Sequence, residues 1–434
     1  MEIKTTVTVI GGGVNGLFTT LDLALRGIDV ILVERGDIGS GTSGKFHGLL
    51  HSGARYAVND PASAMECIQE NKIISTIAPH AVKDTGGLFL GITKEDLEFS
   101  DPFMKSLEKM GIDHKVLDLK EVMQKEPYVN RNAKIAIWVP DKVVLGYDLL
   151  ASVAITASLH KAKIMTYNEV VEFVKENNSI RGVKVIDRIN NETNFIKSDI
   201  VINAAGPWAF KIVKMAGIEE IPILPTAGIM VVFDKRLNNS VLNRLRPPSD
   251  GDIIVPYSDS SILGTTATIV EDIDNFTISE EGINMLIDEG SYLIPYLKNL
   301  KPVRAYASVR PLMKTSESGR EASRDFTIID HEKDGVSGLI SIIGGKFTTG
   351  RLVGERVSDL VSNKLGNKSH SKTSKTRLIS PLDIDLLSYA EKIDLPKVLI
   401  MNALGRKGSL DEERYNTSLY LLLSLISRAK KHEI

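Results

Sequence analysis

Three glycines spaced as Gly11-x-Gly13-x-x-Gly16 constrain the fold of this chain more than any other feature. They follow a short β-branched run at residues 6–10 and precede a stretch whose apolar residues recur at helical spacing up to Gly27. In such a turn the first glycine permits the tight bend, the second lets the backbone approach a pyrophosphate, and the third lets helix and strand pack closely. The spacing therefore predicts a strand–turn–helix unit that binds a dinucleotide.

The context of the fingerprint supports this interpretation. A second apolar run, Val30–Val33, ends at Glu34, eighteen residues beyond Gly16. There the carboxylate can accept hydrogen bonds from ribose hydroxyls, and its charge would repel a 2′-phosphate. The alternative interpretation is a glycine turn that binds nothing.

A second glycine cluster distinguishes between the two common dinucleotides. The sequence Gly-Gly-Lys-Phe-Thr-Thr at residues 344–349 follows a predicted strand (residues 338–343) and opens a predicted helix that reaches Leu365. In many flavoproteins such a unit covers the isoalloxazine ring, because the backbone N–H groups and the helix dipole meet the electron-rich end of the reduced ring. A nicotinamide dehydrogenase has no need of it. We therefore expect FAD rather than NAD, and the alternative is an ordinary helix N-terminus.

Composition excludes several classes of function. Lys and Arg number 53 against 55 Asp and Glu, a net charge of -2, which gives no support to nucleic-acid binding. The single cysteine, Cys67, cannot form an intramolecular disulfide, a Cys-rich zinc site or a thiolate-held cluster, so no metal is predicted.

We infer no signal peptide and no transmembrane segment, since no apolar run approaches the roughly 20 residues of a spanning helix. The expected location is the cytoplasm, with peripheral attachment to the inner face of the membrane as an alternative.

The chain is long enough for two domains and an appendage. We predict an α/β fold in which a Rossmann-like FAD-binding domain is interleaved with an α+β cap, an antiparallel-sheet substrate domain. The predicted FAD-binding domain comprises residues 1–85, 145–222 and 325–365, and the cap comprises residues 86–144 and 223–324. A polar, acid-free stretch at 366–380 is predicted to be a linker. Residues 381–434 are predicted to form a short helical C-terminal extension that packs on its own domain, docks a partner or lies on a membrane.

The sequence Gly-Leu-Leu-His-Ser-Gly-Ala-Arg-Tyr at residues 48–56 resembles a signature of the FAD-dependent glycerol-3-phosphate dehydrogenases. Within that family it is most similar to the catalytic A subunits of the anaerobic enzymes, members of the D-amino-acid-oxidase-like superfamily. Residues 33–38, 264–266, 309–312 and 344–349 fit the family in the same order, so the resemblance spans about residues 6–365. It implies noncovalent FAD and the oxidation of sn-glycerol 3-phosphate to dihydroxyacetone phosphate above the flavin.

The resemblance also implies roles for individual residues. Five residues are expected around the phosphate and hydroxyls of the substrate: Arg55, Tyr56, Arg310, Arg324 and Lys346. Arginine suits a phosphate because its donors match the tetrahedral oxygens, and histidine can take a hydroxyl proton at neutral pH. His51 is the candidate base, assisted by Arg310. The alternatives are an inter-domain salt bridge for Arg310 and a structural hydrogen bond for each histidine.

The expected cofactor contacts come from both glycine turns, the histidine-containing loop and the ends of predicted strands. They are Gly11, Gly13, Val14, Asn15, Gly16, Glu34, Arg35, Thr42, Ser43, His47, Gly48, Leu49, His51, Val170, Ala205, Gly206, Trp208, Gly345, Lys346, Phe347 and Thr348.

The chain departs from the family at several positions. Ala227 and Ile229 stand where relatives usually carry lysine and serine, and Gly350 stands where a tyrosine is usual. The tail contains no cysteine, so electrons cannot leave through a cluster held by this chain's own thiolates. Three alternatives therefore stay open: an oxidoreductase of another 2-hydroxy or 2-amino acid, a non-catalytic flavin-binding subunit, and an NAD-dependent dehydrogenase. The expected partners are a quinone or an electron-accepting or membrane-anchoring subunit, with a homodimer as a further assembly.

Overall fold

The computed structural model of this chain describes residues 2–314 and 325–380, so Arg324 and the predicted extension at 381–434 lie outside the described residues. The described strands are β1 (Glu2–Lys4), β2 (Val7–Ile10), β3 (Val30–Val33), β4 (Leu49–Leu50), β5 (Val82–Lys83), β6 (Gly87–Gly91), β7 (Lys115–Val116), β8 (Ile135–Val139), β9 (Lys142–Val144), β10 (Lys163–Met165), β11 (Asn168–Glu176), β12 (Ser179–Asp187), β13 (Glu192–Lys197), β14 (Ile200–Asn203), β15 (Ile223–Phe233), β16 (Val241–Arg244), β17 (Ile253–Tyr257), β18 (Ser260–Gly264), β19 (Thr268–Ile269), β20 (Arg304–Met313), β21 (Phe326–Asp330) and β22 (Leu339–Gly344). The described helices are α1 (Val14–Leu25), α2 (Pro61–Ile77), α3 (Lys94–Met110), α4 (Leu119–Lys125), α5 (Gly146–Leu159), α6 (Ala209–Ala216), α7 (Glu280–Gly290) and α8 (Gly350–Leu365).

A six-stranded sheet ordered β10-β3-β2-β14-β22-β21 contains the predicted strand–turn–helix unit at its centre. Strands β10 to β22 of this order run parallel, and β21 is antiparallel to β22. Helices α1, α5 and α8 pack on one face, and α6 with a four-stranded sheet (β1-β13-β12-β11) packs on the other. Because both faces are covered, every residue of β2 is buried, as expected for a central parallel strand.

Helices α1 and α8 follow the two glycine turns and pack directly against each other. A Cβ on Gly354 would lie 2.6 Å from the Phe18 carbonyl carbon, and a Cβ on Gly350 would lie 2.5 Å from Val14 Cγ2. Only glycine allows this close approach. The contact brings the N-terminus of α8 beside the N-terminus of α1.

The cap is built on a nine-stranded sheet. Eight of its strands follow the order β19-β15-β18-β17-β16-β6-β8-β7, and the ninth, β20, pairs with β15 along most of its length. Its pairs are antiparallel except for β6 with β16. Helix α7 packs on this sheet around a second hydrophobic core that includes Leu263 and Leu286. The fold class predicted from the sequence, a Rossmann-like domain interleaved with an antiparallel cap, is confirmed.

Residues 366–380, predicted to be a linker, instead pack along the FAD-binding domain. Thr373 is fully buried and donates a hydrogen bond of 3.1 Å to Asp22, which also accepts one from Ser371. Leu378 is 2% exposed, and its backbone N–H donates to the Ile77 carbonyl at 2.8 Å. The hydroxyl groups that suggested a linker are used to compensate a buried carboxylate.

Within residues 2–314 and 325–380, no helix combines the length and the apolar character needed to cross a bilayer.

Candidate active site

The first glycine turn joins β2 to α1 at the carboxyl end of the parallel strands. Gly11 has a φ of +113°, and a Cβ there would lie 2.5 Å from the Ala204 carbonyl oxygen. A Cβ on Gly16 would collide with the Gly11 carbonyl oxygen. Gly13 is the N-cap residue of α1, and Ser43 Oγ accepts a 3.0 Å hydrogen bond from the Val14 N–H, so the positive end of the helix dipole and a hydroxyl group both lie at the turn. The turn therefore has the geometry that a pyrophosphate needs.

Glu34 lies at the end of β3 beside this turn. Its Oε2 accepts a hydrogen bond from the Gly12 N–H at 2.7 Å, and its Oε1 accepts one from the Gly36 N–H at 2.7 Å. The side chain is thus fixed next to the pyrophosphate position. Its half-buried carboxylate lines the cavity described below, and the ribose contact expected of it stays a prediction.

The second glycine turn meets the first. Gly344 and Gly345 both have positive φ, +79° and +86°, and the Gly344 carbonyl accepts a hydrogen bond of 3.3 Å from Asn15 Nδ2 of α1. Thr348 Oγ1 accepts one of 3.1 Å from the His51 backbone N–H. Two turns separated by more than three hundred residues therefore bound one space.

That space is a cavity of about 550 Å³. Predicted residues that line it are Gly11, Gly13, Val14, Asn15, Glu34, Arg35, Thr42, Ser43, His47, Leu49, His51, Arg55, Tyr56, Val170, Ala205, Gly206, Trp208, Arg310, Gly345, Lys346, Phe347 and Thr348. Gly16 and Gly48 lie behind the lining, where each makes room for a neighbour. No group of three or more His, Cys, Asp or Glu side chains among the described residues could hold a metal ion.

The histidine-containing loop forms one wall of the cavity. The His51 ring lies 5.3 Å from the Tyr56 ring and 6.3 Å from the His47 ring, measured between centroids. The loop is held from behind by Asp141, which accepts a 2.7 Å hydrogen bond from the Ser52 N–H. Asp141 is buried, and burial raises the pKa of its carboxyl group.

Arg55 is held by a buried carboxylate. Its Nη2 donates to both oxygens of Asp252, at 2.8 and 3.0 Å, and the two side chains are 5% and 0% exposed. Its Nη1 makes no hydrogen bond to any described residue. Asp252 therefore balances much of the charge that the sequence assigned to the substrate phosphate.

Lys346 reaches the same wall from the second glycine turn. Its Nζ donates a 2.7 Å hydrogen bond to Ser63 Oγ, which in turn donates one of 2.8 Å to Asp325 Oδ1. The ammonium group lies 5.0 Å from the centre of the Tyr56 ring. Arg310 enters from β20, where its Nη2 donates to the Thr266 carbonyl. Arg55, Lys346 and Arg310 thus surround the cavity beside His51.

The three departures from the family do not lie on the cavity wall. Along β15, Gly228 and Met230 line the cavity, whereas the alternating residues Ala227 and Ile229 are buried in hydrophobic clusters and do not line it. Gly350 packs against Val14. None of the three residues therefore lines the cavity in this chain.

The cap contributes further lining residues that motif reasoning missed. They include Gly228, Met230, Thr265, Ile273, Asp274 and Phe276. Alternation along β15 could have indicated that Gly228 and Met230 share one face of the strand, and Thr265 lies within residues 264–266, which the family resemblance included. No sequence signal marked the last three, which follow β19 in an irregular segment.

Comparison with known proteins agrees with this geometry. The family model described as FAD dependent oxidoreductase (DAO) matches residues 6–360. The chain is 39% identical over 428 residues to the A subunit of the anaerobic glycerol-3-phosphate dehydrogenase of Haemophilus influenzae, covering 96% of this chain and 76% of that protein.

Two solved structures are also similar. L-proline dehydrogenase from P. horikoshii superposes with a TM-score of 0.70 at 25% identity, over 87% of this chain and 97% of that one. Glycerol-3-phosphate dehydrogenase from Bacillus halodurans, complexed with FAD, gives 0.67 at 24% identity, over 95% and 75% of the two chains.

Proposed function

The chain belongs to the family of FAD-dependent oxidoreductases, and from that premise we propose that it oxidises sn-glycerol 3-phosphate to dihydroxyacetone phosphate. The observation that carries the proposal is the convergence of both glycine turns on one cavity whose wall combines His51 with Arg55, Arg310 and Lys346. The similarity to the anaerobic glycerol-3-phosphate dehydrogenase of Haemophilus influenzae, over nearly the whole chain, supports this substrate.

The residues fit the cofactor that the family requires. Gly11 and Gly13 would leave room for a pyrophosphate at the N-terminus of α1, and Glu34, which accepts a hydrogen bond from the Gly12 N–H, would contact the ribose. The turn at residues 344–349, which precedes the N-terminus of α8, lines the same cavity beside the first turn. When bound, FAD supplies an acceptor for the hydride that leaves the substrate carbon.

The protein side chains then bind the substrate and move its proton. Arg310 and Lys346, with Arg55 behind them, attract the phosphomonoester, which carries close to two negative charges at neutral pH. His51 takes the proton of the C2 hydroxyl as the hydride departs, a role that typically contributes about 10²–10⁴-fold. Tyr56, packed between His51 and Lys346, keeps both groups on the same side of the cavity.

The electrons must leave the reduced cofactor. We propose a partner subunit or a quinone as the acceptor, because the similar protein from Haemophilus influenzae is itself named as one subunit of an enzyme. Peripheral attachment to a membrane is part of the same proposal.

A second candidate is an oxidoreductase of another 2-hydroxy or 2-amino acid, favoured by the similarity to L-proline dehydrogenase. Anaerobic mixing of the FAD-loaded protein with single substrates separates the two. We expect sn-glycerol 3-phosphate to bleach the visible flavin band, and its enantiomer, glycerol, lactate, glycine and L-proline to leave it unchanged. Bleaching by an amino or hydroxy acid, but not by glycerol 3-phosphate, would establish the second candidate instead.

A further inference from the structure

The segment at residues 270–276, which follows β19 in the cap, crosses to the FAD-binding domain and closes one end of the cavity. We call it the cap latch. We propose that Asp274 of the cap latch is a cofactor-retention residue, which holds this wall in place and sets how long FAD stays bound. The proposal rests on the cofactor assignment made above and concerns a residue outside both glycine turns.

One carboxylate joins the cap latch to three groups of the FAD-binding domain. Asp274 Oδ1 accepts a 2.6 Å hydrogen bond from Trp208 Nε1, and Oδ2 lies 2.5 Å from Lys211 Nζ. Arg35 Nη2 is 3.8 Å from Oδ1. The Lys211 ammonium, which is the largest cause, holds the pKa of Asp274 below its usual range, so the carboxylate is charged at neutral pH.

An apolar layer lies beneath these contacts. Ile273 is 5% exposed and packs with Ala227 and Val309 of the cap, while Trp208 packs on the same cluster from the FAD-binding domain. The Arg35 guanidinium lies 4.3 Å from the centre of the Trp208 ring. The indole is therefore held by the latch through both its N–H group and its ring.

The position of the latch identifies the part of the cofactor that it covers. Arg35, Trp208, Lys211, Ile273 and Asp274 all line the cavity. Arg35 directly follows Glu34, the residue placed for the adenosine ribose, so these residues form the wall at the adenosine end. A dinucleotide seated between the two glycine turns has this wall beside it, and separating the latch from Trp208 opens that side.

The expected effect is moderate because the charges are accessible to water. The side chains of Asp274, Lys211 and Arg35 are 37%, 44% and 41% exposed. Each exposed ion pair of this kind shifts the equilibrium between the closed and the separated latch by up to about five-fold, and salt weakens the attraction. Losing the charge of Asp274 is therefore expected to speed FAD release by about three- to ten-fold.

The test measures the rate at which the FAD-loaded protein releases FAD after dilution, followed by the recovery of flavin fluorescence. We expect Asp274→Asn to release FAD faster than the wild type by the factor given above. Added salt should accelerate release from the wild type but hardly from the variant. The matched control is Glu271→Gln, which removes the same charge from an exposed position in the same latch and should release FAD at the wild-type rate.

A second variant tests the pairing itself. Lys211→Met should speed FAD release in the wild-type background and add little in the Asp274→Asn background, because both substitutions break the same ion pair between Lys211 and Asp274. Equal release by wild type and Asp274→Asn, or equal acceleration by Glu271→Gln, would overturn the latch while leaving the flavoprotein assignment intact. A wild-type protein that binds no FAD would overturn the proposed function, and the latch with it.

Discussion

His51 is the side chain on which the proposed proton transfer depends. It lines the cavity between His47 and Tyr56, on the wall that also holds the cationic residues. We expect His51→Ala to slow substrate-driven flavin reduction by about 10²–10⁴-fold in single turnover, because the hydroxyl proton then has no base. FAD content should not change. A variant that reduces its flavin at the wild-type rate would remove His51 from this role.

Arg55 pairs with Asp252 and is also proposed to contact the substrate phosphate, and a single substitution cannot separate these two roles. Arg55→Ala removes the proposed phosphate contact, which should raise KM more than it lowers kcat. It also leaves Asp252 buried without its partner, which costs about 3–5 kcal/mol of stability. The double variant Arg55→Leu/Asp252→Asn should recover most of the free energy of unfolding and keep the high KM. If the double variant also recovers KM, Arg55 is a structural residue alone.

Asp37 gives the protein a pH-dependent stability. Burial raises the pKa of its carboxyl group from 3.8 to about 7, the Ile38 N–H opposes the shift, and the charge of Glu34 adds to it. At any pH between 3.8 and about 7, the folded protein keeps a proton on Asp37 that the unfolded chain has released. The free energy of unfolding therefore loses up to about 4 kcal/mol as the pH rises from about 4 to 7.

Asp37→Asn mimics the protonated acid and should remove this dependence. Urea unfolding of the FAD-saturated proteins should show the variant gaining about 2–3 kcal/mol relative to the wild type between pH 5 and pH 8. Parallel stability curves across that range would show that Asp37 has an ordinary pKa.

At the scale of elements, the crossing of α1 and α8 aligns the two glycine turns. A side chain at Gly354 would press on the backbone of α1, with its Cβ 2.6 Å from the Phe18 carbonyl carbon and 2.7 Å from the Thr19 nitrogen. We expect Gly354→Val to cost about 1–3 kcal/mol of stability and to weaken FAD binding, because α8 must move away and residues 344–349 move with it. Urea unfolding and FAD titration measure the two effects.

Asn363→Val is the matched control for that prediction. It introduces the same β-branched residue into α8 on the exposed face. It should therefore change the free energy of unfolding only by the small difference in helix propensity between asparagine and valine. If Gly354→Val binds FAD as tightly as Asn363→Val, the two turns are aligned by something other than the helix crossing.

At the scale of the whole molecule, sequence reasoning succeeded where the relevant contacts are local. The spacing of Gly11, Gly13 and Gly16 and the run at 344–349 each predict a turn by themselves, and the family resemblance ordered them in one fold. It could not show that Ser63 and Asp325 hold Lys346, because these residues are distant in sequence and form no motif.

Contacts between the domains were equally hidden. Asp274 lies in an irregular segment that nothing in the pattern marks, and the hydroxyl-rich residues 366–380 looked like a linker until the buried Asp22 and Arg351 were seen to use them. Polarity in a sequence shows what a side chain can bond to, and only the assembled fold shows which partner it reaches.

The convergence of two distant glycine turns on one FAD molecule is tested most directly by the amount and kind of nucleotide that acid precipitation releases from the purified protein. We predict one FAD per chain, recovered entirely in the supernatant because the cofactor is not covalently attached. A preparation that releases no flavin even after incubation with FAD, or one that carries a nicotinamide dinucleotide instead, would contradict it.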